Sequence, residues 1–193
     1  MKQQIKEVDL VNLQLDLYNP RLPKSKQGKG ESVVIEYLLL EAATLELMES
    51  IGENDFFVGE MLLVIPNEDD SDKYIVIEGN RRLTAVMLLN NPDLAKVKKA
   101  AIKEVVDSAK FKPPKLPCLV FNSREAIQKY IGFVHITGKK SWRMLEKARY
   151  LYELRCSEKF QNLSFVDACK EIARVIGSRS HCVRKTGTSY QLY

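Results

Sequence analysis

Tyr74-Ile75-Val76-Ile77-Glu78-Gly79-Asn80-Arg81-Arg82-Leu83-Thr84-Ala85-Val86-Met87-Leu88-Leu89 decides how this chain is read. A run suited to a buried strand stops at Glu78-Gly79, and an apolar pattern of helical character restarts after two adjacent arginines. The stretch predicts strand, tight turn and helix. Glycine leaves the backbone of the turn accessible, and the first N–H groups of a helix lack partners inside it, so the turn suits an anion. Arg81 and Arg82 would add charge-assisted hydrogen bonds that fit phosphate oxygens. Spacing alone favours the plainer reading, a surface turn with two solvated arginines.

Upstream of the turn, the alternation Ile5, Val8, Leu10, Leu13, Leu15, Leu17 predicts a first strand, and Tyr18-Asn19-Pro20-Arg21 a turn. Lys24 to Gly30 is polar and reads as a loop. Glu31 to Leu40 and Leu45 to Ile51 read as helices, the second ending before Gly52. Met61 to Ile65 forms a buried strand closed by Pro66, and an acidic loop returns the chain to Tyr74. Downstream, Leu83 to Leu89 makes a short helix, Asn90-Asn91-Pro92 ends it, and a further helix is expected from about Asp93 to Ser108. Cys118 to Phe121 follows as a strand. The mixture predicts an α+β domain with one small mixed sheet and flanking helices.

Beyond Phe121 the pattern is helical: Arg124 to His135, then, past Gly138, a stripe of Trp142, Leu145, Ala148 and Leu151. Residues 1–138 form the expected first domain, and residues 139–193 an all-helical segment. Charge divides in the same way. Residues 1–138 hold 18 basic against 20 acidic side chains, net −2, while residues 139–193 hold 12 against 5, net +7. The carboxy-terminal part therefore faces polyanions.

Within it, Cys169 to Thr188 fits a helix-turn-helix template, placed at about residues 165–186. Ala173 is small where two helices cross, Gly177 provides the turn, and Val183 returns to the shared core. The second helix would expose Ser178, Arg179, Ser180, His181, Arg184 and Lys185 to DNA, short donors mixed with cations. A helical hairpin with a basic face is the plainer reading.

The composition, 45% hydrophobic and 28% charged over 193 residues, is that of an ordinary globular chain. No apolar run reaches the length of a membrane span, and Met1-Lys2-Gln3-Gln4 leads into no signal-type stretch, so a cytoplasmic protein is expected. Cys118, Cys156, Cys169 and Cys182 lack paired close spacing, and with only His135 and His181 beside them they make no zinc constellation. Reduced, structural thiols are expected, and no residue is assigned as a metal ligand.

Gly79-Asn80-Arg81-Arg82, followed by Leu83, Thr84 and Ala85, resembles the Gly-Glu-Arg-Arg box of the ParB family, the chromosome and plasmid partition proteins, whose amino-terminal domain shares a fold with sulfiredoxin. Asn19-Pro20-Arg21 resembles the segment that opens such domains. The resemblance spans most of residues 5–186. It implies a ParB/sulfiredoxin-like α+β domain, and a site in which Gly79, Asn80, Arg81, Arg82, Arg21 and Lys139 contact the phosphates of CTP or another nucleotide, with Mg2+ as an accompanying ion. Asn80 replaces the family's glutamate, and an acidic residue is displaced to Glu78. Sulfiredoxins carry a catalytic cysteine where Asn80 falls, so their peroxide-repair chemistry is not expected.

His135 to Trp142, with Leu145-Glu146-Lys147-Ala148 after it, resembles the third box of the same family. There a Glu-Asn pair handles magnesium and triphosphate. In this chain His135 and Ile136 fill those places, Gly138 stands for a glutamine, and Lys139 keeps the basic position, which weakens the case for hydrolysis.

The expected function is that of a nucleotide-responsive DNA-binding protein, with the partners DNA, nucleotide and a second copy in a homodimer. Partition proteins continue past the helix-turn-helix, so the chain resembles an amino-terminal fragment or a shorter relative. The rival expectation is a ParB-like nuclease or nucleoside triphosphatase of a phage-defence or mobile-element system, with Glu78 as its acid/base. An interaction module whose box merely stabilises the turn is a third.

Overall fold

The computed structural model of the chain describes residues 4–20, 22–132, 144–176 and 183–185. Two units are distinguished, Met1–Gly138 and Lys139–Tyr193. In the first, strands β1 (Gln4–Asp9), β2 (Leu13–Leu15), β3 (Leu62–Pro66), β4 (Tyr74–Glu78) and β5 (Lys115–Val120) form one mixed sheet in the order β1-β5-β3-β4-β2. The β1/β5 and β3/β4 pairs are antiparallel, and β3/β5 and β2/β4 parallel. The α+β class expected from the sequence is what the chain adopts.

Five helices belong to this unit among the described residues: α1 (Glu31–Glu41), α2 (Thr44–Asn54), α3 (Asn80–Asn90), α4 (Lys99–Ser108) and α5 (Arg124–Gly132). Leu62, Val64, Val76, Leu116 and Cys118 are buried with Leu39, Met48, Leu83 and Ile102 from the first four helices. Leu63, Ile77 and Leu119 point the other way, into a second cluster with Ile127 of α5. The strands are thus apolar on both faces because both faces are covered, which is why they read as continuous runs.

Three expectations are corrected. The single strand drawn from Ile5 to Leu17 is two strands at opposite edges of the sheet. A 3-10 turn, Leu10–Asn12, separates them, anchored where the Leu10 N–H donates to the Pro114 carbonyl at 2.8 Å. Edge strand β2 has its Leu15 N–H taken by the Glu31 carboxylate at 3.2 Å, which covers one open edge position. Helix α2 does not end before Gly52 but runs through it to Asn54. The Gly52 carbonyl accepts the N–H groups of Lys110 and Phe111 at 2.8 and 3.0 Å, and a Cβ there would lie 3.0 Å from that of Ala109. Glycine is used for close approach, not as a stop. The helix expected from Asp93 is a short 3-10 turn, Pro92–Leu94, and then α4, with Lys98 at φ 54° between them.

In the second unit, α6 (Met144–Cys156) and α7 (Phe165–Ile176) bury Leu151, Phe160, Cys169, Ile172 and Ala173 together with Val183. Arg155 fastens the connection between them, donating to the carbonyls of Phe160 and Leu163 at 2.7 and 2.8 Å. Ser164 caps α7: its hydroxyl oxygen accepts the Asp167 N–H at 3.2 Å and its O–H donates to the Asp167 carboxylate at 2.6 Å. Among the described residues no helix is long and apolar enough to cross a membrane.

Candidate phosphate site at the Gly79 turn

Gly79 joins β4 to α3 with φ +103°, a left-handed conformation that a side chain opposes. A Cβ at this position would fall 2.4 Å from Cδ2 of Leu62, itself fully buried, so glycine is required twice over. The Gly79 carbonyl begins the helix by accepting the Leu83 N–H at 2.9 Å.

Asn80, expected among the phosphate contacts, is 4% exposed, and its side chain is engaged inside the protein. Its amide nitrogen donates to the Val76 carbonyl at 2.7 Å, and its oxygen accepts the Asp16 N–H at 2.9 Å. The residue thereby locks the first turn of α3 to the end of strand β2. Asp16 is 1% exposed and also receives Arg124 through two hydrogen bonds, 2.7 and 2.8 Å, with the Tyr18 N–H at 3.0 Å as a third donor. Pairing with Asp16 raises the Arg124 pKa above its ordinary value. Sequence reasoning missed both residues. The available signal was an acidic residue, Asp16, inside the apolar alternation of the first strands.

The two arginines expected to act as twin clamps reach in different directions. Arg81 donates to the Ala42 carbonyl at 3.1 Å, at the corner between α1 and α2. Arg82 turns toward the segment before β3, where Nη1 meets the Glu60 carboxylate at 3.1 Å and the carbonyls of Glu60 and Met61. Its Nη2 lies 3.8 Å from the Glu78 carboxylate.

A cavity of about 190 Å³ opens beside this turn. Arg81, Asn80, Glu78, Asn19, Tyr37 and Glu41 supply its polar lining, and Leu22, Val34, Leu38 and Ala42 its apolar wall. Glu78, the sequence's acid/base candidate, therefore faces the same space as Arg81. Arg82 does not line it. Arg21 and Lys139 lie outside the described residues. No group of three or more His, Cys, Asp or Glu side chains among the described residues is placed to hold a metal ion.

Of the residues expected to meet DNA, Ser178, Arg179, Ser180 and His181 lie outside the described residues. Arg184 and Lys185 are exposed on a helical turn that begins at buried Val183. A larger cavity in the same unit, about 430 Å³, is lined by Leu151, Phe165, Cys169, Ile172 and Val183 with Arg155 at its wall. Since Arg155 is spent on two carbonyls, this space has less to offer an anion than the one at Gly79.

No protein-family model matches the sequence, and no curated protein matches it. Solved structures do. The chain is similar to the C-terminally truncated chromosome-partitioning protein ParB from Caulobacter crescentus complexed with CTP-γ-S, at 20% identity and a TM-score of 0.58, over 95% of this chain and 76% of that one. The same truncated ParB complexed to the centromeric parS site aligns at 22% identity and a TM-score of 0.37, over 94% of this chain and 69% of that one. The first of these likenesses gives the fold: the chain is built in the ParB-like manner.

Proposed function

We propose that the protein is a nucleotide-responsive DNA-binding protein, taking the phosphates of a nucleotide at the Gly79 turn and DNA through its carboxy-terminal helices. The observation that carries this reading is the cavity of about 190 Å³ at the start of α3, lined by Asn80 and Arg81 of its first turn. A small open pocket that holds Arg81 beside Asn80, Glu41 and Glu78 suits a polar, metal-accompanied phosphate better than it suits an apolar ligand. The Caulobacter relative of the same fold is described with CTP-γ-S, so CTP is the first nucleotide to try. Mg2+ would accompany the phosphates in solution.

Asn80 would contribute its backbone N–H, since its side chain holds the turn together. Arg21 and Lys139 join the site by resemblance. In the second unit, Ala173 and Val183 share one apolar cluster, as a helix-turn-helix needs, and Arg184 and Lys185 lie on the exposed side of it. Ser178, Arg179, Ser180 and His181 would complete the recognition helix. The Caulobacter protein's parS complex makes DNA the natural partner to test. A homodimer and a cytoplasmic setting complete the proposal.

Thermal-shift measurement of the full chain against CTP, ATP, GTP and UTP with Mg2+ tests it, because a ligand that prefers the folded state raises the midpoint. A saturable rise with one nucleotide, abolished in Arg81→Ala, is expected. No rise with any of the four defeats the nucleotide reading. Hydrogen exchange over residues 138–142 with and without nucleotide reads the coupling to the second unit.

Hydrolysis is a second reading, favoured by one observation: Glu78 faces the cavity. It would make the chain a ParB-like nuclease or triphosphatase. Turnover of labelled triphosphate that is lost in Glu78→Gln would establish it; saturable binding without turnover rejects it.

A further inference from the structure

We infer that Glu60 is an affinity-determining residue of the phosphate site, because it holds Arg82 as an internal counter-anion that a nucleotide must displace; the inference rests on the reading that the Gly79 turn takes a nucleotide.

Arg82 leaves α3 in its first turn, one residue after cavity-lining Arg81, yet its guanidinium is engaged by the segment before β3 and by Glu78. The Glu60 carboxylate takes Nη1 at 3.1 Å, and the Glu60 and Met61 carbonyls surround the same nitrogen. Glu78 adds a second carboxylate 3.8 Å from Nη2. The side chain of Arg82 is 19% exposed while that of Glu60 is 58% exposed, so the arginine is drawn into the protein by a partner that remains in water.

The segment carrying Glu60 is lightly held. It follows Asp55, which sits at φ 66° without being glycine, and it carries Phe57 and Val58 exposed at 55% and 71%. A Cβ added at Gly59 would meet nothing within 4 Å. A segment with few packed neighbours shifts at small cost. Recruitment of Arg82 by a polyphosphate gives up the Glu60 carboxylate and the carbonyls of Glu60 and Met61 in exchange for phosphate oxygens, so the ligand gains only the difference between the two sets. Removing the internal carboxylate therefore tightens binding.

Calorimetric titration of the full chain with CTP, inorganic tripolyphosphate and cytidine tests this on wild type, Glu60→Gln, Glu60→Ala, Arg82→Ala and the Glu60→Gln/Arg82→Ala double variant. Both Glu60 variants are expected to bind CTP and tripolyphosphate about two- to five-fold more tightly, the scale of an exposed ion pair, with cytidine unchanged. In the Arg82→Ala background the Glu60 substitution is expected to change nothing. A gain of affinity does not arise from a poorly folded variant. Unchanged or weaker binding in both Glu60 variants overturns the inference and leaves the nucleotide site standing. A gain that survives in the double variant overturns it too, since Glu60 would then act only through its field. Absence of binding by every protein, wild type included, overturns the nucleotide site and this inference together.

Discussion

Asp16 and Arg124, 108 residues apart in the chain, meet through two parallel hydrogen bonds of 2.7 and 2.8 Å. The carboxylate is almost fully buried at the end of β2, and the guanidinium comes from the first residue of α5, on the far face of the sheet from α3. Through its N–H, Asp16 also holds Asn80 at 2.9 Å, so one residue ties together an edge strand, the start of α3 and the start of α5.

Breaking this pair is expected to be costly. A buried carboxylate whose charge is not compensated loses the solvation it gave up on folding, and a guanidinium left alone loses two charge-assisted bonds. Arg124→Met is expected to destabilise the chain by about 2–3 kcal/mol, somewhat less than a fully buried pair loses, because Arg124 keeps some water. Asp16→Asn keeps the shape and one acceptor and should cost less. Urea unfolding of the two variants checks the order. Equal stability of both with wild type would mean that the pair contributes only geometry.

Thr84 points the other way. Its hydroxyl is completely buried in α3 and has no hydrogen-bond partner among the described residues. An unpaired buried hydroxyl carries its desolvation penalty uncompensated. Thr84→Val keeps the branched shape and removes the polar atom, so it is expected to raise stability by about 1 kcal/mol. Thermal unfolding reads the change, and a loss of stability would reveal a partner for the hydroxyl.

The strand runs were legible in the sequence because helices cover both faces of the sheet, so apolar residues stand side by side in Leu62-Leu63-Val64 and in Ile75-Val76-Ile77. The Gly79 turn was legible for a local reason, a glycine between a strand and a helix. What the sequence did not disclose is the fate of the arginines. Consecutive residues of a helix project about 100° apart, so Arg81 and Arg82 could not share one direction once α3 began at Asn80. That rule was available, but it decides the matter only when the helix start is known to the residue. The contact of Asp16 with Arg124 depends on which edge β2 occupies, and no local pattern records that.

Cys118 gives a prediction in pH. Burial pushes its thiol up from 9.0 to about 12, because the thiolate is not tolerated among the apolar side chains of β5. The raised value means that the fold prefers the protonated form. The associated stability is present in full below the unfolded pKa and is lost as pH rises from about 9 toward 12. Cys118→Ala leaves a small cavity and starts less stable at pH 8, but it has no thiol to ionise. The gap between the two proteins in urea midpoint is expected to narrow as pH is raised beyond 9. A constant gap would mean that the thiol ionises without unfolding the sheet.

Arg184 and Lys185 carry the last prediction, which concerns the proposed DNA surface. Both are exposed, next to buried Val183, whose packing with Ile172 and Ala173 fixes the turn that carries them. If each neutralises one phosphate of a bound duplex, binding releases one condensed counterion for each, and the logarithm of affinity falls with the logarithm of salt accordingly. Replacing either residue by alanine is expected to reduce that slope by about one, and to weaken binding to unrelated duplex sequences about equally. Replacing Lys170, which is paired with Asp167 at 3.5 Å on α7, serves as a charge-matched control and should leave the slope nearly unchanged. Fluorescence anisotropy of a labelled duplex over a salt series distinguishes the cases. A slope that is the same in the wild type and in both alanine variants would remove this face from the DNA interface, because general loss of positive charge acts on affinity without singling out contacts that release ions.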